Sequence, residues 1–209
     1  MSGGGWTVDV MERRRALMAM QSELPGAYRR VEYLESSGTQ YIDTNIVPTV
    51  FNACKFHIKC ALLSEDTTVF YGINDFRLGG SSFQGVSSNY RLRRDASGAT
   101  NYVGYVQHGE VFDQTIDNKM FYCLNQSFRM SVSESNLNTQ HLYLYAQGAK
   151  SGNTNRALRV YEFSYNDMKG TAINFIPCVR KPDNKPGMYD TVSKTFYTNA
   201  GTGEFIIPA

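Results

Sequence analysis

Residues 52–62, NACKFHIKCAL, alternate between apolar and polar side chains, and this alternation limits the fold more than any other feature of the chain. Successive side chains of an extended strand point to opposite faces. Lys55, His57 and Lys59 therefore share one face. The other face carries Cys54, Phe56, Ile58, Cys60 and Leu62. The pattern predicts a half-buried β-strand that covers a core.

A less regular alternation recurs from Tyr28 onward, in the segments YRRVEYLE, TQYIDTN, TTVFYGI, NYRLRRD, TNYVGYVQ, SFRMSVS, HLYLYAQ, LRVYEFSY, AINFIPCV, KTFYTN and GEFIIPA. Turn clusters rich in Gly, Asn and Ser separate these segments, which gives about a dozen short strands. No helix is predicted after residue 27, and no long period repeats, which disfavours propellers and solenoids. The sequence predicts an all-β, antiparallel two-sheet jelly-roll sandwich, with a partly rolled barrel as the alternative.

The first 27 residues differ from the rest, because a glycine-rich start is followed by helix formers that end at Pro25. We therefore divide the chain into an N-terminal arm with one short helix, residues 1–27, and a sandwich domain, residues 28–209. A helix of about 12 residues is marginal in isolation, so Leu17, Met18 and Met20 are expected to need a partner surface. Docking onto another chain would make the protein a homo-oligomer, for example a trimer. The alternatives are a cap on the domain's own edge or a disordered leader.

Charge and composition limit the partners. A formal net charge of +2 is too small for the basic surface that nucleic acids require, so no nucleic-acid partner is expected. No apolar run is long enough to span a bilayer, and no signal peptide is recognisable, so neither membrane insertion nor export by its own signal is expected. The four cysteines show no metal-binding spacing. Cys54 and Cys60 lie about 20 Å apart on one strand, so free thiols in a reducing cytoplasm are expected.

Catalytic groups do not form a recognisable set. His57, His108 and His141 are expected at the surface, and no G-x-S-x-G elbow supplies a nucleophile. Glu32 and Glu35 are three residues apart, so on a strand they point to opposite faces and cannot act as a glycosidase pair.

Two further acids, Glu162 and Asp167, are the weak candidates for a sandwich-fold hydrolase, and the E-x-D-x-x-E run common in such enzymes is missing. The sequence therefore predicts that the chain is not an enzyme and holds no catalytic residue.

Aromatic and amide side chains favour sugar binding instead, because a sugar ring stacks on an aromatic face and its hydroxyls bond to amides. The candidate ligand-binding residues are Tyr102, Tyr105, Tyr143, Tyr145, Asn153 and Asn155. The alternative is that these tyrosines only fill the sandwich, as good strand formers do. No cofactor or metal is expected. A calcium site in the loops GINDF, DNKM, YNDM and KPDNK is the alternative, although turns use Asn and Asp for their own geometry.

The stretch LESSGTQYIDT, residues 34–44, places Glu35 and Asp43 around a Ser-Ser-Gly turn. Strand patterns on both sides predict a corner between the first two strands rather than a pair of reactive carboxylates. Near the other end, GMYDTVSKTFYTN predicts a hairpin with its turn at residues 191–194.

Two terminal blocks carry a resemblance to a known family. They are LPGAYRRVEYLESSGTQYIDTNI, residues 24–46, and FIPCVRKPDNKPGMYDTVSKTFYTNAGTGEF, residues 175–205. Together they resemble the two ends of a domain found in phages and prophages of gut bacteria, which is similar to the concanavalin A-like (laminin-G-type) sandwich. The resemblance implies a virion structural protein, such as a tail, fibre or head-decoration chain, and brings no catalytic set.

The leading hypothesis is a phage virion protein that is made in the cytoplasm of the bacterial host and assembles with other virion proteins. Its lectin-like sandwich would adhere to a glycan on a host or mucosal surface. One alternative is a purely structural, oligomerising decoration or fibre protein without a ligand. The second alternative is a polysaccharide-degrading enzyme on the same fold.

Overall fold

The computed structural model describes residues 24–48, 54–63, 68–73, 76–83, 89–96, 99–117, 120–124, 126–129, 141–146, 157–167 and 169–209. These ranges contain sixteen strands: β1 (Tyr28–Arg30), β2 (Leu34–Ser36), β3 (Ile42–Asp43), β4 (Lys55–Leu62), β5 (Thr68–Ile73), β6 (Phe76–Phe83), β7 (Asn89–Ala96), β8 (Ala99–Gln107), β9 (Val111–Asp117), β10 (Met120–Cys123), β11 (Gln126–Arg129), β12 (Leu142–Leu144), β13 (Leu158–Asn166), β14 (Ala172–Arg180), β15 (Lys185–Asp190) and β16 (Thr195–Thr198). None of these segments forms a helix that is long and apolar enough to cross a membrane.

The strands form two sheets whose described pairs are all antiparallel. The larger sheet has the order β11-β10-β9-β4-β13-β14-β15-β16, with β1 beside β14 and β2 beside β13. The smaller sheet has the order β3-β12-β5-β6-β7-β8. The prediction of an all-β antiparallel sandwich is confirmed.

The core lies between the sheets and follows the alternation read from the sequence. On β4, Phe56 and Ile58 are fully buried while Lys55 is exposed. The smaller sheet contributes residues such as Leu142 and Leu144 to the same hydrophobic cluster. The face of the larger sheet that points away from this core, called the outer face below, carries the polar residues of β4.

The two ends of the chain meet in the larger sheet. β13 and β14 pair directly only where Phe163–Asn166 face Ala172–Phe175. Beyond that point β2 pairs with β13 and β1 pairs with β14, so residues 28–36 fill the gap between the two strands. On its other side β2 bonds to the C-terminal segment, since Glu35 N donates to Ile206 O at 2.9 Å and Ile206 N donates back at 2.9 Å. The predicted hairpin near the C-terminus is β15 and β16, joined by residues 191–194.

The Ser-Ser-Gly turn carries the chain from the larger sheet to the smaller one. The Gln40 side chain holds it: Oε1 accepts from Ser37 N at 2.8 Å and from Ser36 Oγ at 3.0 Å. Gly38 has φ 118, a conformation that residues with a Cβ rarely adopt. The predicted corner is present, but it joins β2 to β3 rather than the first two strands, because the segment YRRVEYLE forms two short strands.

All four cysteines, Cys54, Cys60, Cys123 and Cys178, are free and buried. Burial raises the pKa of Cys54, Cys123 and Cys178 to about 12, so these thiols are poor nucleophiles.

The predicted arm helix, with Leu17, Met18 and Met20, falls outside the described residues. Residues 24–27 form a turn before β1.

Candidate ligand-binding groove

A β-bulge in β13 turns two consecutive side chains to the outer face. The register with β4 shifts between Val160 and Glu162, and Glu162 lies opposite Lys59. Val160 and Phe163 point into the core, with exposed fractions of 0% and 1%. The two residues between them, Tyr161 and Glu162, are partly exposed on the other side. A bulge inserts one residue into the strand and so re-aims its neighbours.

Beside this bulge lies a depression of about 670 Å³ on the outer face. We call it the binding groove and define it by its lining residues, Arg30, Val31, Glu32, Lys59, Val111, Tyr161 and Glu162. Ligand sites in proteins commonly have volumes of roughly 300–1,000 Å³. The groove is therefore large enough for a small ligand or for a segment of a polymer.

The groove holds two cations and two anions that do not pair with each other. Within the described part of the chain, Arg30, Glu32, Lys59 and Glu162 take part in no ion pair or side-chain hydrogen bond. Nη1 of Arg30 is buried and has no hydrogen-bond partner among the described residues. The Lys59 ammonium and the Glu32 and Glu162 carboxylates are thus available to a ligand, whereas Arg30 Nη1 is covered.

Two other polar side chains of β4 on the outer face do have partners. Lys55 Nζ lies 3.2 Å from Asp117 Oδ2 on the neighbouring strand. His57 Nε2 lies 3.4 Å from Asp113 Oδ1. These contacts join β4 to β9, whereas the groove residues have no such partners.

An aromatic wall bounds the groove at Tyr161. The Tyr33 ring meets the Tyr161 ring edge-on at 5.6 Å, and the Arg159 guanidinium lies 4.6 Å from the centroid of Tyr33. Arg159 is held in turn by Glu35, with an Nε–Oε2 distance of 2.7 Å, and this hydrogen bond raises the pKa of Arg159. Burial raises the pKa of Tyr161, so its phenol stays neutral at physiological pH. The aromatic wall is therefore an uncharged Tyr161 ring, packed against Tyr33, beside the unpaired charged side chains of the groove.

The two acids that flank the Ser-Ser-Gly corner lie in different sheets. Glu35 lies in the larger sheet with Arg159, and Asp43 lies in the smaller sheet, where His141 Nδ1 is 2.8 Å from its Oδ1. Glu35 and Asp43 each have a structural partner, in agreement with the prediction that they are not a reactive pair. His108 is exposed in the turn before β9 and contacts Leu63 O at 3.2 Å.

Of the two acids considered for catalysis, only Glu162 lies in the groove. Asp167 is 3% exposed and organises the turn between β13 and β14. Its Oδ1 accepts from Lys169 N at 2.8 Å and from Thr171 N at 2.9 Å. Its carboxylate is committed to the backbone.

Of the residues predicted to bind ligand, the structure describes the side chains of Tyr143 and Tyr145, and neither lines this groove. Tyr143 is 6% exposed, and Tyr145 is 1% exposed with its hydroxyl donating to Leu34 O at 2.7 Å, so Tyr145 is part of the core. This is a correction, because a buried ring has no face for a sugar. Tyr102 and Tyr105 lie on β8, in the smaller sheet. Asn153 and Asn155 fall outside the described residues.

The sequence contains a signal for the groove that periodicity alone did not use. In RVYEFSY the apolar Val160 and Phe163 are three residues apart, which breaks the period of two. A break of this kind in a strand indicates a bulge. Arg30 and Glu32 could not be found in this way, because only the tertiary fold brings the β1–β2 segment between β13 and β14.

Metal ligands are not grouped in the described residues. Over those ranges, no cluster of three or more His, Cys, Asp or Glu side chains is placed to hold an ion. The arrangement therefore offers hydrogen bonds, charge and one aromatic ring to a ligand.

Comparison with known proteins gives a limited result. No protein-family model matches the chain, and no curated protein matches it. Among solved structures, a mutant of Trypanosoma rangeli sialidase displaying trans-sialidase activity aligns at 16% identity with a TM-score of 0.39. That alignment covers 55% of this chain and 20% of the sialidase chain. Alginate lyase from Alteromonas sp. 272 aligns at 13% identity with a TM-score of 0.38, over 66% of this chain and 74% of the lyase.

Both of these proteins are enzymes, which contradicts the prediction that this chain is not an enzyme. We therefore withdraw that prediction. Neither similarity assigns a substrate or a reaction to this chain, so its function has to be argued from its own groove.

Proposed function

We propose that the chain is the glycan-binding module of a phage virion surface protein, and that the binding groove holds the glycan. The observation that carries this proposal is the bulge, which places the Tyr161 ring and the Glu162 carboxylate side by side on an open face. A sugar has an apolar ring face and many hydroxyls, so it needs one aromatic surface together with donors and acceptors. The groove supplies both.

The virion part of the proposal is supported by the two terminal blocks that resemble a phage domain. In the fold these blocks lie together: Ala200 N donates to Tyr41 O at 2.9 Å, and Thr39 Oγ1 donates to Thr202 O at 2.9 Å. These contacts are a structural reason why one domain would carry a distinctive sequence block at each of its two ends. Peptide mass spectrometry of purified virions from a lysogen that carries the gene tests this part, and absence of the chain from the particles would contradict it.

Glycan binding is tested with immobilised polysaccharides: neutral β-mannan, xylan and galactan, and acidic alginate and polygalacturonate. We expect binding to at least one of them, and at least a tenfold loss in Tyr161→Ala, since a central aromatic contact often contributes more than about 1 kcal/mol. Tyr122→Ala is the matched control, because Tyr122 is 45% exposed on the outer face but does not line the groove. Equal binding by Tyr161→Ala and the wild type would overturn the assignment of the groove.

Glycan cleavage is the second candidate function, and one observation favours it. Two unpaired carboxylates, Glu32 and Glu162, line the same groove, and glycoside hydrolases use two carboxylates that flank the bond they cleave. Release of new reducing ends or unsaturated products from the same polysaccharides tests this. Activity that disappears in both Glu32→Gln and Glu162→Gln, while binding persists, would establish cleavage.

A further inference from the structure

A second group of aromatic side chains continues the outer face beyond the binding groove. The Tyr28 ring lies 4.9 Å from the Tyr189 ring and 5.2 Å from the Phe196 ring. The Arg180 guanidinium lies 5.0 Å from the centroid of Phe196. Tyr28, Phe196 and Arg180 are all partly exposed. We call Tyr28, Phe196 and Arg180, which surround the buried ring of Tyr189, the aromatic platform.

The platform and the groove are adjacent on one face of one sheet. Tyr28 and Arg30 are two residues apart on β1, where they pair with Arg180 and Cys178 of β14. Side chains two residues apart on a strand share a face and are separated by about 7 Å. Since Arg30 lines the groove, the platform begins where the groove ends.

The platform is fixed before any ligand arrives. The Phe196 ring lies so close to Gly187 that a Cβ there would come within 2.7 Å and 2.9 Å of two ring atoms. Arg180 is held over the ring by Asp183, with an Nη2–Oδ2 distance of 2.7 Å. A ring that is already ordered loses little entropy on binding.

We propose that the groove and the aromatic platform form one extended cleft that binds a linear oligosaccharide segment across the strands, rather than a single terminal sugar. This inference rests on the proposed glycan-binding function and specifies its ligand class. From β9, where Val111 lines the groove, to β16 the sheet crosses at least five strand spacings, or roughly 24 Å, and more where the β1–β2 segment separates β13 from β14. Tyr161 on β13 lies within that path, beside the charged side chains of the groove, and Phe196 on β16 lies at its far end.

The test measures binding as a function of ligand length by isothermal titration calorimetry. The probes are oligosaccharides of one to six sugars prepared from β-mannan, xylan, galactan, alginate and polygalacturonate. For the series that binds, we expect the affinity of the wild type to rise with length. Phe196→Ala should weaken the longest oligomers about tenfold and leave the shortest unchanged, whereas Tyr161→Ala should weaken every length.

Tyr122→Ala serves as the control on the same face, and a thermal melt checks that each variant is folded. If Phe196→Ala is unstable, Arg180→Ala, which leaves the ring in place and removes its cationic neighbour, gives the same readout. Wild-type affinity that does not depend on length, or a Phe196→Ala effect equal at all lengths, would overturn the extended cleft and leave the groove proposal standing. Absence of binding by the wild type to every series would overturn both.

Discussion

At the scale of single residues, the same side-chain type serves structure in one place and the candidate site in another. Asp167 and Glu162 are both carboxylates of the β13 region, yet Asp167 accepts two backbone N–H groups, whereas Glu162 faces the groove opposite Lys59. Tyr145 and Tyr161 divide in the same way, since the first is in the core and the second bounds the groove. Composition cannot separate these roles, because they depend on which face of the sheet each residue occupies.

The hydrogen-bonded carboxylate of Asp167 should stabilise the fold in a way that depends on pH. Burial raises this pKa, but the hydrogen bonds from Lys169 and Thr171 outweigh burial, and the pKa lies below its usual value. A carboxylate with a lowered folded-state pKa stabilises the fold above its unfolded pKa, and this contribution is lost as the pH falls through the folded value. Asp167→Asn should therefore cost about 1 kcal/mol of unfolding free energy at neutral pH, and this cost should shrink as the pH falls below the unfolded carboxyl pKa of about 3.9 and on through the lowered folded value.

Urea denaturation of wild type and Asp167→Asn across that pH range measures the difference. Asp117→Asn is the control, because Asp117 lies in an exposed pair with Lys55, and such pairs contribute little. A stability difference for Asp167→Asn that is constant with pH would contradict this role of the carboxylate.

At the scale of elements, the bulge is the feature that converts an ordinary strand into a candidate site. Without it, Tyr161 and Glu162 would point to opposite faces, and only one of them would face outward. The strands themselves could be predicted from the sequence because each one alternates locally, as β4 does. The groove could not, since Arg30 comes from β1 and Lys59 from β4, and only long-range pairing brings them together.

Deletion of Tyr161 tests the bulge as an element. The shortened strand would still alternate correctly, with Val160 and Phe163 inward and Glu162 outward, so we expect a folded protein whose glycan binding falls at least tenfold. Deletion of Ser164 is the contrasting variant, because it shifts Tyr165 from the core to the outer face and should unfold the domain. Circular dichroism melts and binding measurements distinguish the two. Full binding by the Tyr161 deletion would contradict the role assigned to the bulge.

At the scale of the whole molecule, the two ends of the chain complete the larger sheet. Residues 28–36 fill the gap between β13 and β14, and the C-terminal segment pairs with β2. The sequence predicted the sandwich, the corner and the terminal hairpin, because each has a local signature in periodicity or turn residues. It did not predict that the β1–β2 segment lies between β13 and β14, because no local pattern encodes a gap between distant strands.

The C-terminal segment should contribute strongly to stability through one buried ring. Phe205 is 4% exposed, and its ring lies 5.0 Å from the ring of Tyr145. Phe205→Ala should lower the free energy of unfolding by about 3 kcal/mol. Its neighbour Ile206 is 47% exposed, so Ile206→Ala should change stability by less than about 0.5 kcal/mol. Chemical denaturation of both variants measures this, and equal effects would show that the segment is held by its backbone alone.

A crystal structure of the protein with a hexasaccharide of the polysaccharide that it binds tests most directly where the glycan lies. We expect density for the sugar on the outer face of the larger sheet, with one ring against Tyr161 and the chain running towards Phe196. Sugar bound on the smaller sheet, or on the outer face away from Tyr161, would show that the groove is not the glycan site.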